Sequence, residues 1–427
     1  MLCVPRADAA PAADSLEYAA FAVRLRAVFT EEQARAIISK LPPKCKVYGY
    51  DIGDISSDSL PDVVLSYKAD DAPRRELGVA ILLAEGKDFR PVRTLARTYI
   101  SEPIEVGFSI DEGVCHITRK RGEYNLEITG YTARGGVFRQ ADYWETSRVR
   151  SGGASVGFEQ YTDFRTHRSS ESYYRVSDGK VLLKHEATAL PVYPVGTKIS
   201  SDDAIPIADT TYRSLVKGSS SWSGPDDCAL FSSAVYDTSH LYLTFRVLDD
   251  RLLSGADPEH SDRMVLCFDP SLQKKLEGTG KTRVPDENTL LRITVLLGDG
   301  AKMPPVVMVS APAEKEKDSR RPVSRLVKAK VEKESGGVYM VTCTVPRQMF
   351  PRDALSIPFS AGYYDIDMPE HPEWVTVAAT SDDFDPARPA TYGRLYLLEP
   401  GAVPFERENL NVRSLLARMQ RAGVVGG

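Results

Sequence analysis

Two stretches of this sequence place oxygen-bearing side chains where a cation could collect them. In DIGDISSDSLPD (51–62), oxygens recur at Asp54, Ser56, Asp58 and Asp62, with the Leu60 carbonyl between them. A hard cation such as Ca²⁺ takes six or more oxygens at roughly 2.3–2.6 Å, and a tight loop of alternating acids supplies several from few residues. Ser59 stands where such a loop often uses glycine, which makes the turn less easy without excluding it. In SWSGPDDCALFSSAVYDTSHLYLTFRVLDD (221–250), Asp226 and Asp227 stand at the start and Asp249 and Asp250 at the end. With Asp262 they are loop-edge acids and candidate calcium ligands, although acids also end strands without any ion.

Other chemistries find less support. The histidines at 116, 167, 185, 240, 260 and 371 are scattered, with no HExxH and no His-x-His pair. No GxSxG elbow is present, because GSSSWSG lacks both the spacing and the strand-to-helix setting. Asp365/Asp367 and Asp382/Asp383/Asp385 could serve a glycosidase, whose carboxyls stand about 5–10 Å apart. A chain with 59 acids offers such pairs by chance. The six cysteines show no CxxC and no short spacing, so a zinc knuckle is not expected, and buried free thiols are the plain reading.

The elements that must hold these residues are mostly strands. Leu241, Leu243, Phe245 and Val247 alternate with Tyr242, Thr244 and Arg246, the period of a half-buried strand. VVLSYK, GVAILLAE, EVGFSI, CHITRK, YNLEITGY and GVFRQADYW follow one another before residue 200. DRMVLCFD, LLRITVLL, VVMVSA, VYMVTCTVP, FSAGYYDID, WVTVAAT and TYGRLYLLEP follow after it. Short strands at regular spacing argue for antiparallel meanders over βαβ units. Near the start, Phe21, Val23, Leu25, Ala27 and Phe29 alternate with Arg24 and Arg26 and predict a strand. A helix follows, capped by Thr30, with Ala34, Ile37, Ile38 and Leu41 on one face. Within 312–333, a mixed-charge stretch predicts a solvated loop entering an edge strand with outward lysines.

The expected organisation is therefore all-β with few helices: an N-terminal segment (1–45) with one strand and one helix, a β-rich domain (46–200), a second β domain (201–400) and a tail (401–427) with near-helical spacing. The first domain reads as an antiparallel β-meander or a partial-propeller-like sheet, the second as a jelly-roll-like β-sandwich. The chain has 427 residues, a net charge of −5, 42% hydrophobic and 26% charged content, with the signs interspersed. No basic stripe is present for nucleic acid, and no apolar run reaches the roughly 18 residues of a membrane span. MLCVPRADAAPAADS ends in small residues as a cleaved leader does, yet no apolar core precedes them. The calcium reading favours an extracytoplasmic protein whose leader lies outside this sequence.

Two family resemblances rest on these residues. The 51–62 loop followed by its strand resembles the calcium loop of FG-GAP repeats, over about 46–95, and implies calcium ligands at Asp54, Ser56, Asp58, Leu60 (backbone) and Asp62. WSGPDD, LYLTFRVLDD, DRMVLCFD and TYGRLYLLEP occur in an order that resembles family 9 carbohydrate-binding modules, a DOMON-like β-sandwich, over about 205–399. That resemblance implies a sugar held by an aromatic clamp, with calcium ions holding loops, since pyranose C–H faces stack on indole rings. One clamp tryptophan position is Glu259 here, and the acid inside the DRMVLCFD strand is replaced by Val265. Arg292 matches a polar sugar contact, and the second clamp aromatic would be Phe384 or Trp374. Tyr363 and Tyr364 complete the aromatic set to be compared, while Trp222 reads as structural.

The expectation is non-catalytic binding of a glycan or cell-surface polymer, with calcium at 54–62 and at Asp249 and Asp250, and room for a protein partner. Its rivals are a surface adhesive protein whose sandwich has lost the sugar site, and a glycoside hydrolase or its accessory module. If the 54–62 loop holds calcium, Asp58→Ala lowers the melting temperature in calcium and leaves it unchanged in chelator. An equal loss in both, followed by circular dichroism, identifies the loop as a plain turn.

Overall fold

The computed structural model describes residues 18–404 apart from 43–44, 69–75, 99–103, 122–124, 152–153, 200–204, 209–214, 219–221, 225–226, 255–256, 271–289, 299–302, 312–324, 335–336, 351–353, 369, 372–374, 399–400 and 402. It is an all-β chain, as its alternating runs require, with two α-helices among the described residues. It divides into two compact units, one of residues 1–150, 154–162 and 172–183, the other of 151–153, 163–171 and 184–427. The division thus falls ahead of the joint expected near residue 200. The predicted C-terminal helix and the acids and serines of that joint lie outside the described residues.

In the first unit, strands Lys46–Gly53, Asp62–Lys68, Glu76–Glu85 and Asp88–Thr98 form a four-stranded antiparallel sheet in chain order. Val63, Leu65, Ala80 and Leu82 bury one face of it against Phe21, Leu25, Ala34 and Ile37. Val64, Val79, Ile81 and Leu83 bury the other against Cys115, Ile117, Tyr131 and Phe138. The latter belong to a meander that starts with Ile104–Asp111, Val114–Arg121, Asn125–Thr132 and Arg139–Ser151. That sheet has seven strands in sequence order, so the 51–62 loop sits on a single four-stranded meander and its neighbour is not a second blade of the same size.

The opening stretch corrects one expectation. Tyr18–Leu25 is a helix, not a strand. Phe21 and Leu25, one helical turn apart, are fully buried, whereas Val23 is 63% exposed. Alternation over five residues includes an i, i+4 pair, and the alanines of YAAFAVRL favour the helical solution. The second helix, Glu31–Ser39, is as expected: Thr30 accepts the Gln33 N–H, the Gln33 side chain accepts the Thr30 N–H, and Ala34 and Ile37 are buried.

The second unit is built from two antiparallel sheets. One holds Ile205–Ala208, Cys228–Tyr236, His240–Asp249, Val338–Pro346 and Lys328–Lys333. The other holds Val306–Ser310, Leu291–Leu296, Arg263–Phe268, Ser356–Asp365 and Gly393–Leu397, with Thr376–Ala379 and Leu215–Lys217 beside them. Leu190–Pro194 pairs in parallel with Cys228–Tyr236 and with Gly393–Leu397, joining the two. Leu241, Leu243, Phe245 and Val247 are all fully buried, on the face their alternation assigns. They share one core with Met264, Leu266, Phe268, Leu291, Ile293 and Val295 of the facing sheet. Lys328–Lys333 is the edge strand, with Lys328 and Lys330 exposed, which keeps another chain from pairing there.

In the 51–62 loop, Ser57 (φ 61°) and Ser59 (φ 68°) occupy left-handed backbone without glycine. Each such residue costs roughly 1–2 kcal/mol. Ser59 is exposed, and it is its backbone N–H that donates to Asp54. Ser59→Gly is therefore expected to raise the melting temperature by a few degrees in chemical or thermal unfolding, with the loop unchanged.

Candidate functional site

The strand ends of the second unit bring aspartates together from both sheets. Asp227 precedes Cys228–Tyr236, and its register partner strand ends at Asp249 and Asp250. Asp262 precedes Arg263–Phe268, which pairs with Ser356–Asp365 so that Arg263 lies opposite Tyr364. The result is two groups. Asp249, Asp262 and Asp365 are all buried, and Asp227, Asp250 and Asp367 run from buried to exposed. Within each group the three carboxylate oxygens lie within 4.8 Å of one another.

Backbone N–H groups orient the inner carboxylates. Asp262 accepts from the Ile366 N–H at 2.7 Å and from the Leu253 N–H. Asp249 accepts from the Arg251 N–H at 2.8 Å and from the buried Tyr363 hydroxyl. Asp227 accepts from the Ser223 N–H at 2.7 Å. Asp365 is different: its Oδ2 is buried without a hydrogen-bond partner, while its residue is 2% exposed. A buried polar atom left so costs about 1–3 kcal/mol, and the Asp365 carboxylate lies close to two others.

Burial and mutual repulsion push these acids up: Asp249 to about 6, Asp262 to about 8 and Asp365 to about 9. In each, burial is the largest cause. The neighbouring aspartates add to it, chiefly Asp250 for Asp249 and Asp249 for the other two. Three carboxylates cannot stay ionised in so small a volume without an added positive charge. The donor set is all oxygen, which suits a hard cation of the calcium type better than zinc, which prefers nitrogen and sulfur. Cys228, buried beside the group, is held as a thiol, its pKa raised first by burial and then by Asp365 and Asp249. The residues therefore fit the calcium expected at Asp249 and Asp250, with Asp365 and Asp367 added.

The first candidate loop is arranged differently. Asp62 is fully buried and accepts from the N–H groups of Ile55, Ser56 and Ala84 at 2.8, 3.0 and 2.8 Å. Asp54 accepts from the Asp58 and Ser59 N–H groups and the Ser56 hydroxyl, and Asp58 accepts from the Leu60 N–H. The loop closes on its own backbone donors, and the acid groups that converge among the described residues are the two in the second unit.

Among the described residues, the candidate sugar contacts do not form an exposed clamp. Tyr363 is fully buried with its hydroxyl on Asp249, so it positions that acid. Phe384 is 7% exposed and lies across Gly362, where a Cβ would meet its ring at 2.5 Å. Tyr364 is half-buried beneath the Arg263 guanidinium, 4.3 Å from its centroid. Arg292 donates to the Pro386 carbonyl at 3.2 Å, which the Tyr392 hydroxyl also reaches at 2.7 Å, so it braces the turn after Phe384. Glu259 is exposed on a short 3-10 turn capped by Asp257. Trp374 and Asp226 lie outside the described residues. Trp222 is structural, as expected: its indole N–H donates to the Cys228 carbonyl at 2.9 Å.

Asp365 and Asp367 were legible only as a carboxylate pair. Their signal for the aspartate cluster was position, within two residues of a strand end like the other four, but which ends meet depends on sheet pairing. Asp385 accepts the Ala387 N–H within its own turn, and Asp382 accepts the N–H of Glu186 in strand Val181–Thr188. Cys45, Cys115, Cys228, Cys267 and Cys343 are free and buried.

The sign of the pH dependence follows from the raised acids. Without a cation, the folded protein holds protons at Asp249, Asp262 and Asp365 that the unfolded chain, titrating near 3.8, has already lost. Stability from these groups is full below about pH 4 and drains as pH rises through 6, 8 and 9. Thermal unfolding in chelator is expected to show a falling melting temperature from pH 5 to 9. Millimolar calcium removes that fall, since a cation stabilises the ionised form and displaces protons. Asp365→Asn lessens both the fall and the calcium gain.

No family model matches the chain, and no curated protein does. Among solved structures, the chain is similar to a family 9 carbohydrate-binding module from Caldicellulosiruptor kristjanssonii in complex with glucose. The TM-score is 0.33 at 13% identity, covering 52% of this chain and 100% of that one. A structure of a family 9 module from the same organism in complex with cellotriose gives 0.32 and 12%, covering 52% and 98%. Likenesses of this size do not fix a shared fold.

Proposed function

We propose that the chain is a non-catalytic carbohydrate-binding protein that works outside the cytoplasm. Its second unit is a β-sandwich whose loops are set by a divalent cation of the calcium type. The aspartate centre carries this reading. Six carboxylates from both sheets, one with an orphaned buried oxygen, call for a hard cation at the end of the sandwich. Calcium at millimolar concentration outside the cell can occupy such a site even at modest affinity. Asp227, Asp249, Asp250, Asp262, Asp365 and Asp367 would hold it, and the loops carrying them would lose their relative order without it.

The acids argue against catalysis. A glycosidase needs two carboxyls facing one another across a substrate. Here Asp365 and Asp367 belong to adjoining three-carboxylate groups, and the inner group is buried. Carbohydrate as the ligand class is supported by the ordered strand motifs from WSGPDD to TYGRLYLLEP.

A second reading has its own observation. With Phe384 and Tyr363 buried and Glu259 at a clamp position, a sandwich that keeps the fold and binds a protein or surface partner is favoured at that face. Affinity electrophoresis through gels containing soluble glycans separates the two. Retardation by at least one glycan in calcium, lost in chelator, is expected. Folded protein that no glycan retards in either condition leaves the adhesive reading standing alone.

A further inference from the structure

The second unit carries a groove that the aspartate centre does not use. It has a volume of about 780 Å³ and lies where His240–Asp249 begins, Val338–Pro346 ends and Lys328–Lys333 begins. Arg325, Lys328 and Arg347 line it, and among the described residues no acidic side chain does. Among the described residues none of the three has an ion-pair partner. That is notable in a chain with 59 acids and a net charge of −5. The nearby acid, Asp237, is taken up internally, accepting the Ser239 and His240 N–H groups at 2.6 and 2.7 Å and the Tyr242 hydroxyl at 2.9 Å.

The groove is built as well as charged. Arg347 is held in place by its backbone N–H on the Ser239 carbonyl at 2.7 Å and by its guanidinium over the Tyr236 ring at 5.2 Å. This fixes a planar fork of donors, which suits carboxylate and sulfate oxygens. His240 and Gln348 add hydrogen-bonding groups, and the buried Phe350 adds an apolar surface. The volume lies within the roughly 300–1,000 Å³ of small-ligand sites.

We propose that this groove binds an acidic oligosaccharide, with Arg325, Lys328 and Arg347 engaging its carboxylate or sulfate groups. The proposal rests on the carbohydrate reading above for the sugar and on the groove's own charge for the acid. Isothermal titration of the full chain in calcium, with four probes, tests it: oligogalacturonate, a sulfated oligosaccharide, neutral cello-oligosaccharide and inorganic sulfate. Binding of either acidic oligosaccharide, weakening as salt rises from 50 to 300 mM, is expected. Which of the two binds tells carboxylate from sulfate.

Lys328→Gln, on an exposed edge, and Arg347→Ala should each weaken that binding about tenfold, a loss ordinary for a charge-assisted contact. Arg347→Lys should restore part of it. Unchanged affinity in Lys328→Gln and Arg347→Ala, with the melting temperature kept, overturns the assignment. So does binding of inorganic sulfate as tight as that of the oligosaccharide. If the neutral sugar binds and neither acidic one does, the groove proposal fails while the carbohydrate reading stands. If no saccharide binds at all, both fail.

Discussion

Repulsion among buried carboxylates is the constraint on which the second unit depends. Asp249, Asp262 and Asp365 occupy one small volume where the two sheets end, and Asp365 leaves an oxygen with no donor. Hydrophobic burial alone would exclude such groups, because a buried charge must be paired or neutralised. The surrounding core is well able to hold them there: Leu241, Phe245, Met264, Leu266 and Phe359 are buried on all sides. A rigid apolar sandwich with an unmet demand for positive charge at one end is the physical basis for the cation reading.

The same frame separates residues that position from residues that bind. Tyr363 and Phe384 have the chemistry of sugar contacts, yet one donates a hydrogen bond to Asp249 and the other covers Gly362. Arg292 likewise braces the turn at Pro386. A separate cluster of basic side chains, Arg325, Lys328 and Arg347, lines the groove. Acids at one place and bases at another give the described part of this unit two regions of opposite charge.

Much of the fold was legible in local pattern. The alternation of Leu241, Leu243, Phe245 and Val247 identified a strand and its buried face, and Thr30 marked a helix start. The opening stretch misled because Phe21 and Leu25 satisfy both a strand's alternation and a helix's i, i+4 spacing, and burial chose the helix. In the 51–62 loop, alternating oxygens suggested metal ligands, but a carboxylate pointed at backbone N–H groups looks the same in sequence as one pointed at an ion. Asp62 takes three such N–H groups.

By itself, the sequence determined that this chain is all-β, which faces of its strands are apolar, and that acids gather near strand ends. These are local properties, set by side-chain period and turn chemistry. Only the tertiary structure decided which strand ends meet. Antiparallel pairing put Asp249 beside the start of Cys228–Tyr236, and set the end of Ser356–Asp365 beside the start of Arg263–Phe268. Carboxylates more than a hundred positions apart thereby came within 4.8 Å of one another. No spacing along the chain encodes that distance, because it is fixed by sheet register and by packing one sheet on the other.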